Sequence, residues 1–289
     1  MNSKGYIAKN RGRTFLFLFI CIMTTLLFAF SASAKDKTYK MTANDGKYTC
    51  IGKYNGERFI YTRFKVGTTG VIRVTGIEVT KKKKRNGFTL CLCNSDKERI
   101  DLNKVNYVNG TSKKQEIKYY VLSKGTYYFR IKGSSIAKKS RFLLEARFTA
   151  VDDEAGDSKS GAVEIKKDAT RNVLICAGAP AETSKWLYFV TDGEEPVKIG
   201  LYPKLTKSIQ GGFEVYLYGP AYPDGKKLTL SKGGDVYTLS TTVLIKSGYT
   251  TTKKTKGPKK GTYYLQIIRD QSSSALINKA NNYMLVALS

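Results

Sequence analysis

The sequence predicts an all-β protein made of two tandem β-sandwich domains, and three observations carry that prediction. First, Lys124-Gly125-Thr126-Tyr127-Tyr128-Phe129 returns as Lys260-Gly261-Thr262-Tyr263-Tyr264-Leu265, with matching segments on either side. A recurrence of this kind marks a duplicated unit. Second, the segments between turn signals are short and rich in β-branched and aromatic residues, with no helical period. Third, residues 151–162 are acidic, contain Gly and Ser and lack periodicity, so they read as a linker between the copies.

Residues 1–34 read as an export signal. Lys4, Lys9, Arg11 and Arg13 form a basic start, Phe15 to Phe30 an apolar run, and Ala32-Ser33-Ala34 a small-residue cleavage site. The apolar run is shorter than the ~20 residues that a spanning helix needs, so cleavage is expected and no membrane span after it. The leader takes four basic residues and no acidic one, lowering the formal charge from +27 to +23.

The first domain, residues 35–150, opens with strands at Tyr39–Ala43 and Lys47–Gly52 around Asn44-Asp45-Gly46, a hairpin turn. Phe59–Val66, Val71–Val79, Phe88–Cys93, Ile117–Leu122, the Gly-Thr-Tyr-Tyr strand and Arg141–Thr149 follow. The second domain, residues 163–289, repeats the plan. Val163-Glu164-Ile165 answers Tyr39-Lys40-Met41, and Trp186-Leu187-Tyr188 answers Phe59-Ile60-Tyr61. Ile175-Cys176-Ala177-Gly178 answers Thr49-Cys50-Ile51-Gly52, and Phe213–Tyr218 answers Phe88–Cys93. Asn282–Ala287 answers Arg141–Ala146. Asp224-Gly225 after Pro223 reads as a turn.

This order of strands, with Gly-Thr-Tyr-Tyr as its sharpest motif, resembles the bacterial pre-peptidase C-terminal domain. The resemblance covers both copies. It implies jelly-roll-like sandwiches serving as non-catalytic accessory modules of exported enzymes, some binding matrix or polysaccharide and some stabilised by calcium. The chain departs from the pattern in having no attached protease domain. It also has Asn86-Gly87 and Gly211-Gly212 where acidic residues often precede the Phe-x-Leu-x-Leu strand.

The composition narrows function. There is no histidine, which removes Ser-His-Asp and Cys-His nucleophiles and the commonest catalytic zinc sites. No paired carboxylates or phosphate-binding loop stand out, so no enzyme activity and no cofactor are expected. The linker acids Asp152, Asp153, Glu154 and Asp157 offer oxygens to calcium, but a solvated linker is the simpler reading and no metal site is assigned. The mature cysteines are Cys50, Cys91, Cys93 and Cys176. Cys50 and Cys176 are read as equivalent positions, whereas Cys91 and Cys93 correspond to Tyr216 and Tyr218. Buried free thiols are therefore expected, with a bridge from Cys50 to Cys91 or Cys93 as the alternative.

Basic loops are the strongest functional signal. Lys81, Lys82, Lys83, Lys84 and Arg85 share one loop, and Lys253, Lys254, Lys256, Lys259 and Lys260 crowd the approach to Gly261. Such runs are often solvated faces, yet the net charge exceeds what solubility asks and attracts polyanions. Among the 20 tyrosines, Tyr128 and Tyr264 alternate away from the core positions Tyr127 and Tyr263 and are expected outside. The predicted function is binding of an anionic polymer or glycan at the cell envelope or in the matrix, through Lys81–Arg85, Tyr128, Lys253, Lys254, Lys256, Lys259 and Tyr264. Docking onto another exported protein, such as a protease, is the second reading, and nucleic acid a weaker third.

Overall fold

The computed structural model describes residues 35–79, 89–100, 105–106, 118–132, 141–180, 182–204, 213–229, 234–247, 250–269 and 282–289. The first half forms β1 (Lys37–Lys40), β2 (Thr42–Asn44), β3 (Lys47–Lys53), β4 (Phe59–Val66), β5 (Gly70–Val79), β6 (Thr89–Cys93), β7 (Val105–Asn106), β8 (Lys118–Leu122), β9 (Gly125–Lys132) and β10 (Arg141–Ala150). They make a front sheet in the order β1-β4-β9-β6-β7 and a back sheet in the order β2-β3-β10-β5-β8. The second half forms β11 (Val163–Glu164), β12 (Ala169–Ile175), β13 (Ser184–Thr191), β14 (Val197–Pro203), β15 (Phe213–Gly219), β16 (Tyr222–Leu228), β17 (Asp235–Leu239), β18 (Thr241–Ser247), β19 (Thr250–Lys256), β20 (Gly261–Arg269) and β21 (Asn282–Leu288). Its front sheet is β11-β13-β20-β15-β16 and its back sheet β12-β21-β14-β17, while β18 and β19 pair only with each other. The described residues contain no helix. The all-β tandem-sandwich class read from the sequence is what the structure shows.

Each pair of sheets encloses its own apolar core. Phe64, Phe129, Ile131, Phe142 and Leu144 lie in the first, and Phe189, Val215, Tyr263, Leu265 and Val286 in the second. The repeated motif has a local reason. In each copy the first tyrosine points inward and its hydroxyl donates to the carbonyl four residues back, Tyr127 to Ser123 at 3.0 Å and Tyr263 to Lys259 at 2.8 Å. The buried phenol is thereby satisfied while it closes the turn that starts the strand.

The Asn44-Asp45-Gly46 hairpin forms as predicted, with positive φ at both Asp45 and Gly46. The strand expected at Tyr39–Ala43 is instead split at Met41. β1 runs parallel to β4 in the front sheet, and β2 pairs with β3 in the back sheet. Met41 is buried at the crossing as part of the first core.

Three repeat correspondences need correction. Tyr61 faces Arg130 across the sheet, whereas Trp186 faces Gln266 and Tyr188 faces Tyr264. With Tyr128 and Tyr264 as equivalents, Trp186 therefore matches Tyr61, two residues from the pairing expected. In the last strands, Leu144 and Met284 hold the same inward place, one residue out of the expected register. Their partners in the neighbouring strand are Cys50 and Val173, so Cys176 is not the counterpart of Cys50. A shift of one residue exchanges the faces of a strand, and aligning Phe142 with Tyr283 equates an inward ring with an outward one.

The acidic segment is not a solvated tether. Glu154 Oε2 accepts from the amide of Asn172 at 2.7 Å, and Asp153 Oδ1 from that of Leu174 at 3.1 Å. Lys185 pairs with Asp153 at 2.6 Å and also with Asp157, and Gly156 exchanges backbone bonds with Trp186. The carboxylates thus cover the open edge of β12 and pin the segment to the second sandwich. Next to it, Val71 and Val121 of the first sandwich pack against Leu174 of the second, and the Ala177 amide donates to Val121 O at 2.7 Å. Leu174 is 1% exposed, whereas Ile51, its counterpart on β3, is 69% exposed. The seam, and not the strand pattern, decides which of the two is covered.

Candidate functional site

Alternation along three strands of the second front sheet builds one aromatic face. Leu187 and Phe189 of β13, Tyr263, Leu265 and Ile267 of β20, and Val215 and Leu217 of β15 enter the core. Their neighbours Trp186, Tyr188, Tyr264, Gln266, Tyr216 and Tyr218 must therefore stand on the other side. The register sets Trp186, Gln266 and Tyr216 in one row and Tyr188, Tyr264 and Tyr218 in the next. All five rings are half-buried. Trp186 and Tyr218 lie 5.9 Å apart between centroids, and Tyr188 and Tyr264 6.1 Å.

Polar groups and cations frame these rings. The Tyr218 hydroxyl donates to Gln266 Oε1 at 3.1 Å, and that of Tyr216 to Glu214 Oε2 at 3.0 Å. Lys227 reaches Glu214 Oε1 at 2.8 Å and lies 5.8 Å from the Tyr216 centroid. The Glu214 hydrogen bond, then burial, raise the Tyr216 phenol above its ordinary value, so it stays protonated in neutral solution. Lys159, carried by the pinned acidic segment, stands over both Tyr264 at 5.0 Å and Tyr218 at 5.3 Å. A bulge admits the Tyr218 ring. Gly225 has φ +84° within β16, and a Cβ there would meet that ring at 2.5 Å. Asp224-Gly225 is thus part of a strand and not the predicted turn; the reversal occurs at Pro220-Ala221.

The same face of the first sandwich is covered at its centre and half-buried at Phe59, Tyr128 and Arg130. Tyr61 is 5% exposed and Cys93 fully buried, with Cys91, Phe59 and Tyr128 around them. Arg130 lies over the Phe59 ring at 4.8 Å and donates from Nε to Cys91 Sγ at 3.2 Å. Lys97, from the Asn94–Glu98 turn, stands 4.9 Å from the Tyr61 centroid and 5.7 Å from that of Tyr128.

The predicted site residues separate on this geometry. Tyr264 belongs to the five-ring face of the second sandwich, and Tyr128, half-buried like it, to the equivalent face of the first, beside Tyr61. Lys253, Lys254 and Lys256 lie on strand β19 and not in a loop, and only Lys259 and Lys260 occupy the turn before Gly261. Lys81, Lys82, Lys83, Lys84 and Arg85 lie outside the described residues. Trp186, Tyr188, Tyr216, Tyr218 and Lys159 were not singled out from the sequence. The signal was present in Trp186-x-Tyr188 and Tyr216-x-Tyr218, aromatic pairs at the spacing of one strand face and out of phase with the Leu and Val core positions.

None of the four described cysteines is in a disulfide. Cys50 points into the first core, whereas Cys91 and Cys93 lie on the outer side of the front sheet, which rules out the alternative bridge. Burial pushes the Cys50 thiol up to about 11. Burial does the same for Cys176, also to about 11, with Asp153 adding to the shift and Lys185 and Arg269 opposing it.

No family model matches the chain, and no curated protein matches it. Among solved structures it is similar to tripeptidyl peptidase 2, at 9% identity and a TM-score of 0.31, over 87% of this chain and 24% of that one. The chain thus spans about a quarter of that protein's length. It is also similar to the tandem CBM22-1-CBM22-2 domains of Paenibacillus barcinonensis Xyn10C, at 9% identity and a TM-score of 0.28, over 86% of this chain and 92% of that one. The PBSX exported protein XepA follows at 13% identity and a TM-score of 0.26, over 86% and 88%. Function is therefore read from the site itself. No helix among the described residues is long and apolar enough to cross a membrane.

Proposed function

We propose that this is an exported, non-catalytic protein that binds an acid-bearing glycan at the cell envelope or in the surrounding matrix. The single observation that carries this reading is the open face of five half-buried rings with Lys159 above two of them. A sugar presents a flat C–H face that stacks on an aromatic ring, and its hydroxyls suit Gln266, Glu214 and the phenols. Lys159 would hold its acidic groups. The export leader supports an extracellular location, and the resemblance to pre-peptidase C-terminal modules supports an accessory role without catalysis. Among the described carboxylates, Asp153, Asp157 and Glu214 are already paired with lysines.

Titration of the full mature chain with a polyuronate and with a neutral glucan tests this. Trp186→Ala and Tyr264→Ala should each weaken polyuronate binding about tenfold, the equivalent of about 1.4 kcal/mol. Lys159→Ala should narrow the preference for the acidic polymer. Unchanged binding in both ring variants would reject the reading. Docking onto another exported protein is the runner-up; polyanion binding weakens steeply with salt, whereas contact through the rings alone does not.

A further inference from the structure

The strands β18 and β19 form a ribbon that belongs to neither sandwich. They pair with each other from Thr241↔Lys256 to Ser247↔Thr250 and, among the described residues, with no strand of either sheet. Thr252, Lys253, Lys254 and Thr255 are consecutive and all exposed. Because neighbouring residues on a strand point to opposite sides, neither side of the ribbon is covered there. Leu244, directly across from Lys253, is 58% exposed as well. A free two-stranded ribbon is marginal in water, and this one is held at its base. Thr241 Oγ1 donates to Gly257 O at 2.8 Å, the Gly257 amide to Glu194 O at 3.3 Å, and Gly257 and Pro258 are buried.

Its charge is one-sided. From Val236 to Arg269 there is no acidic residue, against Lys246, Lys253, Lys254, Lys256, Lys259, Lys260 and Arg269. Lysines blunt exposed strand edges, but edge protection does not require a stretch without a single acidic residue, and such a stretch carries a one-sign field that attracts polyanions. We propose that this ribbon is a second binding element, separate from the aromatic face, that takes an extended polyanionic chain. A lipid surface fits less well. A membrane-binding element needs a sustained apolar face, and the exposed positions described here are threonine and lysine with Leu244 alone among them. The polymer lies along the ribbon with its anionic groups against ammonium groups on either side. Recognition is therefore by charge and length and not by ring stacking, so the ribbon does not depend on the saccharide reading.

The test uses the full mature chain and long-chain inorganic polyphosphate as the probe. Replacing Lys253, Lys254 and Lys256 together by Thr, which keeps strand propensity, should weaken polyphosphate binding at least tenfold and flatten its salt dependence. The matching triple Arg variant should bind like the parent, separating lost charge from a lost ribbon. Trp186→Ala should leave polyphosphate binding unchanged even where it lowers glycan binding, so the two proposals fail independently. Parental affinity in the triple Thr variant, or failure of the triple Arg variant to bind, would overturn the inference. So would equally tight binding of the parent to phosphatidylglycerol vesicles with the same loss in the Thr variant, because that result assigns the ribbon to membranes.

Discussion

The two front sheets both set aromatic rings under a lysine, yet the first buries Tyr61 and the second leaves its counterpart Trp186 half-exposed. In the first sandwich Lys97 stands over Tyr61 and Tyr128, and in the second Lys159 stands over Tyr218 and Tyr264. Part of the difference lies on the strand beside Gly-Thr-Tyr-Tyr, where Cys91 and Cys93 take the places of Tyr216 and Tyr218. Two small thiols leave room for Tyr61 and the Arg130 guanidinium to settle onto the sheet, and the face buries itself. Two phenols in the same places compete with Trp186, Tyr188 and Tyr264 for one surface, and all five stay half-exposed. The duplicated scaffold thus carries two different faces: Trp186, Tyr188, Gln266, Tyr216 and Tyr218 stand where the first copy has Tyr61, Arg63, Arg130, Cys91 and Cys93.

The largest expected effect breaks the comparison on stability. Tyr61→Ala removes a buried ring and should cost about 3–5 kcal/mol in urea unfolding. Trp186→Ala removes a half-exposed one and should cost about 1 kcal/mol while abolishing much of the binding. Equal costs would mean that the second face is structural too.

A smaller effect concerns the segment that delivers Lys159. Lys185→Ala leaves Asp153 and Asp157 without their cation, and about 2 kcal/mol of stability should be lost together with glycan affinity. Burial lowers the Lys185 ammonium value, but the hydrogen bonds and charges of Asp153 and Asp157 outweigh it and hold the value above its ordinary 10.5. A raised folded-state value means that its stabilisation is complete below the ordinary value and fades as pH rises through the folded one. Melting followed from neutral to strongly alkaline pH should show a loss in the parent that is absent from Lys185→Ala.

Much of this was legible beforehand, and the misses share a cause. Gly-Thr-Tyr-Tyr, the Asp45-Gly46 hairpin and the two cores follow from alternation and turn chemistry, which are local. The register between distant strands is not local. A slip of two residues paired Trp186 with the wrong partner, a slip of one misaligned the last strands, and a slip of three made Cys176 look like Cys50, whose place Val173 holds. The acidic segment looked like a tether because its partners, the amides of Asn172 and Leu174 and the ammonium of Lys185, lie 18 to 32 residues along the chain. Tyr264 was found because the repeat pointed to it. Tyr218 and Trp186 were missed because only the sheet brings them together.

The smallest expected effect on stability belongs to the basic run at Lys81–Arg85. Changing Lys81, Lys82, Lys83 and Lys84 to Ser should leave the melting temperature nearly unchanged while weakening low-salt binding to anionic wall material. Retention of full low-salt affinity would assign that run to solubility alone.

The central claim, that the second front face is where ligand binds, has a built-in reporter. The chain contains a single tryptophan, Trp186, and it lies within that face. Titrating the unmodified protein with polyuronate while recording tryptophan emission and its quenching by acrylamide reads the face directly. The account predicts a saturable change in emission and protection from the quencher, both lost in Tyr264→Ala. Saturable binding by calorimetry with emission and quenching unchanged would contradict it.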